Sequence, residues 1–390
     1  MRISFLTPEY PPFGTTGGIG SYVSIIAPTL AARGHEVRVI TCTGALREDV
    51  VDRGVHVHVR PLRPLPVVGR MDRVSQTHAR LAAARSYRAA LRELERPDVI
   101  ESPEWMAESL RIRGSTRRSR LLVHLHTPVG FIARHGQRLG RDAALAHRIE
   151  LLSIRGARAV TSPSKLLLDL VFPSGAPQGP LARVIRQPID VDLWKRSDAV
   201  SRTERVVLVV GRLERLKGVD VLLEAAGKLP PEVRDTTTIV AVGRSSGLHE
   251  GRPYAEWLSK LAERHGVRFE QRGEVARDEL AALYAAARVV ALPSRFDNFP
   301  MVALEAMASG RPLVCSTTCG AAELVGGSGA GEVFESGDAG ALASALLRYL
   351  TDEAAARAAG DTGRALVEAE CAPDVIAGQR ERLYEDMAEA

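Results

Sequence analysis

Short apolar runs alternate along the chain with segments whose apolar residues recur at helical spacing, the pattern of parallel α/β units. In the first half, residues 3–6 read as a strand and 8–20 as a loop. A helix over 21–33 is closed by Gly34-His35, and residues 37–41 form a second strand. Residues 55–59 alternate like a half-buried strand, 75–95 form an Arg/Ala-rich helix, and 99–100, 121–125, 159–161 and 184–185 are further strands. In the second half, strands are expected at 206–210, 238–242, 267–269, 289–292, 312–315 and 332–334. Helices are expected at 219–228, 254–265, 277–286 and 300–309, and they fill most of 339–390. The stretch 187–203 is polar and carries Pro188, so it reads as the linker. The expected boundaries are therefore a first domain over 1–187, a linker over 188–203 and a second domain over 204–372. A last helix over 373–390 crosses back to the first. No period of 20–50 residues repeats, which excludes solenoids and propellers.

Length agrees with this division, because 390 residues exceed one ordinary core at roughly 100–200 residues per domain. Hydrophobic residues at 45% and charged residues at 25% exclude a disordered chain. Four cysteines cannot make a disulfide scaffold and point to reduced thiols; Cys315 and Cys319 read as structural. The apolar start reaches Thr7-Pro8 too soon for a signal peptide, and no stretch approaches the roughly 18 uncharged apolar residues of a membrane span. A cytoplasmic protein is expected, at most touching the inner face of a membrane.

Net charge changes the picture only when it is divided. The total is +5, but residues 1–190 carry +12 and residues 191–390 carry −7. A basic half could draw an anionic small molecule or an acidic lipid surface. A compositional habit is the alternative, since only five of the basic residues are lysine. Few aromatics interleave with the arginines, which disfavours nucleic acid.

Four segments carry candidate chemistry. Gly17-Gly18-Ile19-Gly20 follows a strand and opens a helix, so its N–H groups could approach an anion; a tight turn is the other reading. It is not the spaced dinucleotide fingerprint, and no acidic residue closes the second strand. Gly211-Arg212-Leu213-Glu214-Arg215-Leu216-Lys217-Gly218 follows a buried strand, and Arg212 and Lys217 could clamp two phosphates or stand as solvated loop cations. In Pro293 to Gly310 a loop carries Asp297 and Asn298. The N–H groups from Asn298 through Phe299 and Pro300 to Met301 mark a helix start able to bind phosphate, although Pro300 itself has no N–H to offer. Glu305 then stands among apolar neighbours and suits ribose or sugar hydroxyls, unless it lies on an exposed face. His124 and His126 share one side of a strand; substrate contact by the strand-end His126 is weighed against a core histidine, and metal is disfavoured for want of further ligands. Neither a G-x-S-x-G elbow nor a P-loop occurs, which disfavours hydrolase and ATPase readings.

Together these segments resemble the family-four retaining glycosyltransferases of the GT-B fold (glycosyltransferase group 1), in family order. They are the G-G-x-G loop at Gly17–Gly20, G-H-x-V at Gly34–Val37, His126, V-G-R-L-x-x-x-K-G at Val210–Gly218, and P-S-x-x-[E/D]-x-x-P-x-x-x-L-E-A-M-A-x-G at Pro293–Gly310. The resemblance implies an α/β protein of two Rossmann-like domains facing each other across a cleft. It implies a hexosyltransferase that moves a hexose or N-acetylhexosamine from a nucleotide sugar, UDP-linked before GDP-linked. The acceptor would be a hydroxyl of a polar, sugar-containing or lipid-linked molecule, and no metal or cofactor would be required. Arg212 and Lys217 match the diphosphate clamp, Glu305 the ribose-binding glutamate, and His126 the histidine facing the donor sugar. Asp297 replaces the family's first glutamate, which holds sugar hydroxyls. Gly17, Gly18, Gly20 and Gly211, with Asn298 to Met301, would line the donor and acceptor sites. Arg134 and Arg138, with Arg60, Arg63, Arg70, Arg73 and Arg141, lie on acceptor-side loops at 44–73 and 129–146. Arg111, Arg113, Arg117, Arg118 and Arg120 form a separate basic cluster that could touch anionic lipid. Gln187-Pro188-Ile189-Asp190 departs from the family's N-G-x-D. A sugar-nucleotide epimerase, a non-catalytic membrane or partner-binding protein and a dehydrogenase are the rivals.

Overall fold

The computed structural model describes residues 1–11, 13, 17–65, 75–112, 121–134, 140–173, 181–194 and 205–389, except the side chains of Arg111 and of residues 132–134. The chain forms two compact units. One comprises Met1–Pro188 with Pro373–Ala390, the other Ile189–Ala372.

The first unit is an eight-stranded sheet built from β1 (Arg2–Leu6), β2 (Glu36–Cys42), β3 (Glu48–Asp52), β4 (Val55–Arg60), β5 (Val99–Pro103), β6 (Leu121–His124), β7 (Ala159–Ser162) and β8 (Leu181–Val184). Their order is β3-β4-β2-β1-β5-β6-β7-β8, and all pairs are parallel except β3 with β4. The inner strands are buried on both faces, so they read as continuous apolar runs rather than alternating ones. Edge strand β3 is largely exposed and polar, and nothing in its apolar pattern marks it within the stretch expected to be a loop. The helix Arg141–Arg155 also escapes the sequence reading of 129–146 as a loop. One of its inward positions is Glu150, which is 0% exposed and bonds Arg80, so the apolar period is broken. The last helix, Pro373–Glu389, belongs to this unit; Glu381 accepts from Arg33 at 2.7 Å, at the end of helix Gly18–Ala32.

The second unit holds a six-stranded parallel sheet of β9 (Arg205–Val210), β10 (Thr237–Val242), β13 (Arg268–Arg272), β14 (Val289–Leu292), β15 (Leu313–Ser316) and β16 (Gly331–Phe334). A small antiparallel pair, β11 (Leu248–His249) and β12 (Arg252–Pro253), lies apart from it. The order is β13-β10-β9-β14-β15-β16. Counted along the sheet this is 3-2-1-4-5-6, the doubly wound Rossmann order, which the first unit repeats with additions at both edges. Side-chain carboxylates cap the starts of two closing helices: Asp338 accepts from Gly340 and Ala341, and Asp352 accepts from Ala355.

The stretch expected as a linker is only partly one. Ile189 and Trp194 are buried in the second unit, Trp194 packs edge-on against Tyr284 with ring centroids 5.4 Å apart, and Arg364 donates to the Trp194 carbonyl. Residues 195–204 lie outside the described residues.

Candidate functional site

Sheets of this order bind ligands beyond the carboxyl ends of their strands, where neighbouring connections diverge to opposite faces. In the second unit that place lies between β9 and β14, and both strands run directly into the loops singled out above. The β9 loop leaves the sheet through Gly211 (φ 141°) and ends at Gly218 (φ 69°), both in regions open to glycine. A Cβ on Gly218 would lie 1.9 Å from the Pro293 carbonyl oxygen, so the two loops meet backbone to backbone. Arg295, which sequence reasoning passed over, staples them. Its N–H bonds the Leu216 carbonyl at 2.8 Å, its guanidinium the Arg215 carbonyl at 2.7 Å, and both of its terminal nitrogens the Asp220 carboxylate at 2.8 and 2.6 Å. An Arg directly after a strand-end Pro-Ser, paired with an Asp two residues past Gly218, was the available signal.

This scaffold brings Lys217 and Asp297 together, Nζ to Oδ2 at 2.5 Å, with both side chains mostly buried. Asp297 is held by its backbone as well: its N–H bonds the Thr318 carbonyl, and its carbonyl accepts from Gly320. Arg212 is 62% exposed and pairs with Glu214 at 3.0 Å, so the two cations of the expected clamp have separate acidic partners. Asn298 and Phe299 are buried, Pro300 precedes the helix Met301–Ala308, and the first N–H groups of that helix lack intrahelical acceptors by construction. Glu305 projects from its middle. Tyr284 donates to Oε2 at 2.9 Å, and burial pushes the carboxyl up to about 7 despite that bond.

In the first unit the corresponding place lies between β1 and β5. The Gly17 loop opens the helix Gly18–Ala32 as expected, but the chain itself supplies an anion there. The Glu9 carboxylate accepts from the N–H groups of Gly17 at 2.9 Å and Gly20 at 3.1 Å, and a Cβ on Gly17 would fall 2.7 Å from it. No residue of the helix caps its own start. His126 follows β6. Its N–H and that of Thr127 both donate to the buried Glu104, whose carboxyl burial raises to about 8. Burial, with Arg380 second, holds the His126 imidazole down to about 3.

The acceptor-side arginines fare differently from the expectation of a basic surface. Arg60 is buried and neutralised by Asp49 and Glu93. Arg63 stands 3.7 Å from Glu93. The side chains of Arg111 and Arg134, and all of Arg70, Arg73, Arg113, Arg117, Arg118, Arg120 and Arg138, lie outside the described residues. All four cysteines are buried and unbridged. Among the described residues no group of three or more His, Cys, Asp or Glu side chains could hold a metal, and no helix is long and apolar enough to cross a membrane.

Comparison with known families assigns both halves. Residues 190–366 match the model of glycosyl transferases group 1, and residues 17–186 match that of a glycosyl transferase 4-like domain. The chain belongs to the group 1 glycosyltransferases. This glycosyltransferase is 30% identical over 373 residues to a D-inositol 3-phosphate glycosyltransferase of Acidothermus cellulolyticus, covering 88% of this chain and 80% of the relative. Its fold matches sucrose-phosphate synthase from Thermosynechococcus elongatus, with a TM-score of 0.80 at 23% identity, over 100% of this chain and 99% of the other. It also matches Anabaena HepE solved with UDP and glucose, with a TM-score of 0.72 at 21% identity, over 99% and 100%. The fold is thus GT-B, and a glycosyltransferase of this group moves sugar from a nucleotide sugar.

Proposed function

We propose that this glycosyltransferase moves a hexose from a UDP-hexose to a hydroxyl of a polar acceptor bearing a sugar or polyol phosphate, with retention of configuration and without a metal. The observation that carries the reading is the juxtaposition of Lys217 and Asp297 at the carboxyl edge of β9 and β14. A cation for a diphosphate there stands beside a carboxylate for sugar hydroxyls. The UDP and glucose bound by HepE support the donor, with GDP-hexose second. The inositol phosphate in the relative's name and the product of sucrose-phosphate synthase support a phosphorylated acceptor. A lipid-linked phosphate offers the same chemistry.

Cleavage of the sugar–phosphate bond leaves an oxocarbenium-like carbon and a diphosphate. Lys217, Arg212 and the N–H groups at the start of Met301–Ala308 would stabilise that diphosphate, Glu305 would hold the ribose, and Asp297 the sugar hydroxyls. A neutral His126 beside the sugar adds no repulsion to the developing positive charge. The leaving phosphate takes the acceptor's proton, and the acceptor attacks the face it vacates, so no carboxylate of the protein serves as nucleophile.

Thermal shift with UDP-, GDP- and TDP-sugars identifies the donor, because a ligand that binds only the folded state stabilises it. Transfer to phosphorylated polyols, followed by NMR of the anomeric proton with and without chelator, tests the rest. Conversion of donor without acceptor would indicate the epimerase instead. An inverted product, chelator-sensitive turnover or a covalent sugar on Asp297 or Glu305 would overturn the mechanism.

A further inference from the structure

The first unit contains a buried polar cluster that the motifs do not account for. At its centre is Arg380, a wholly buried residue from the helix Pro373–Glu389. Its Nη1 donates to Glu101 Oε1 at 3.0 Å and to Thr161 Oγ1 at 3.1 Å, and its Nη2 lies 3.1 Å from His124 Nδ1. The guanidinium carbon stands 5.1 Å from the Tyr22 ring centroid. Glu101 also accepts from Tyr22 at 2.5 Å and Tyr384 at 2.8 Å. Glu101, His124 and Thr161 lie on β5, β6 and β7, so one side chain from the far end of the sequence ties together three adjacent strands.

We propose that Arg380 is a positioning residue of the glycosyl-transfer site: it fixes the ring of His124, and through it His126, at the carboxyl edge of the first sheet. The inference rests on the reading of His126 as the histidine beside the donor sugar. A guanidinium has only donors, so His124 Nδ1 accepts and the ring proton sits on Nε2. A protonated ring would turn an N–H toward the guanidinium, so His124 stays neutral while Arg380 is present. The side-chain amide of Gln187 lies 3.5 Å from Nε2 through its nitrogen; turned over, it would offer the Nε2 proton its oxygen, which has no hydrogen-bond partner. Gln187 is followed by the last residue of the unit's first segment and Arg380 lies in its second, so both segments converge on this imidazole. The His126 ring meets His124 nearly edge-on, centroids 4.9 Å apart, and Tyr22 at 6.0 Å. A cavity of about 10 Å³ lies among these rings, leaving His126 little room to turn while its neighbours hold.

Among the described residues, the ionisable groups around His126 include His124 at the end of β6, Tyr22 on the first helix, Glu101 and Glu104 on and after β5, and Arg380 from the last helix. Arg380 is a cation among them, and it adds to burial in opposing protonation of His126. Without it, His124 keeps the Thr161 hydroxyl 2.9 Å from Nδ1 but loses the cation that adds to burial in opposing its protonation, and His126 loses part of its support and of its resistance to protonation.

The test is ring-nitrogen NMR of the whole protein from pH 5 to 8, with His124 and His126 assigned by His→Asn variants. In the native protein both rings should stay neutral throughout, with His124 protonated on Nε2. In Arg380→Met the His124 ring-nitrogen shifts should move as Nδ1 loses its cationic donor, the His126 ring should protonate more readily than in the native protein although burial still opposes it, and kcat should fall about tenfold or more while the donor KM stays within about twofold. Arg380→Lys should retain the neutral rings. Because Arg380→Met leaves the Glu101 carboxylate buried without its cation, the companion variant Arg380→Met/Glu101→Gln removes both charges and should show the same change in the His124 ring-nitrogen shifts. A folded variant without Arg380 whose two rings are unchanged in shift and titration overturns the proposal. Absence of transfer by the native protein from every nucleotide sugar would instead overturn the proposed function, and the ring spectra would still decide the role of Arg380.

Discussion

Lys217 Nζ and Asp297 Oδ2 lie 2.5 Å apart, across the two loops that close the carboxyl edge of the second sheet. Each side chain is a candidate for a different part of a nucleotide sugar, and each is a partner of the other. Binding then becomes an exchange, in which a diphosphate takes Lys217 and the released carboxylate takes sugar hydroxyls. Asp297→Asn should tighten UDP binding about fivefold, the equivalent of about 1 kcal/mol for a partly screened pair. It should also shrink the preference for UDP-hexose over UDP. Calorimetry on both ligands measures this, and an unchanged UDP affinity would show that no exchange occurs. Lys217→Ala should lower turnover about 100-fold or more.

Glu305 supplies a pH dependence. Its carboxyl is raised to about 7, so it is largely protonated below that pH and ionised above it. Only the ionised form accepts from two ribose hydroxyls without donating. Donor affinity should therefore rise from pH 6 to pH 8 and level off beyond, and Glu305→Gln should be weaker and flat over that range. A native affinity independent of pH would remove the ribose role.

Arg295 and Asp220 make a prediction about stability. Asp220 is buried, and apart from Arg295 its carboxylate accepts from Tyr254 at 3.1 Å. Arg295→Ala should cost about 3 kcal/mol, because one partner of a buried pair is left behind. Arg295→Lys should recover little, since an ammonium cannot reproduce the two-pronged contact. Denaturant unfolding measures both, and a loss below about 1 kcal/mol would mean that backbone contacts alone hold the loops.

Glu9 acts as a cap supplied from outside its helix. Glu9→Ala strips the acceptor from two N–H groups and should cost about 1 kcal/mol. Hydrogen exchange at Gly17 and Gly20 should accelerate, and unaltered exchange at both amides would contradict the role.

The sequence alone determined the alternation of strand and helix, the two Rossmann-like halves, and the strand-end loops that carry Lys217 and Asp297, the second followed by the helix that carries Glu305. Parallel strands buried on both faces are written as continuous apolar runs, and loops that need glycine at φ 141° and φ 69° must show it. Edge strand β3 and the helix Arg141–Arg155 were not legible, the first being polar and exposed, the second turning a charged Glu150 inward. Tertiary structure alone decided the pairings: Lys217 with Asp297, Arg295 with Asp220, Glu9 with Gly17 and Gly20, and Arg380 with Glu101 and His124. Arg380 and Glu101 are 279 positions apart, and no local pattern records a partner at that distance. A charged side chain looks the same in the sequence whether it meets water or a buried counter-ion; only the fold determines which.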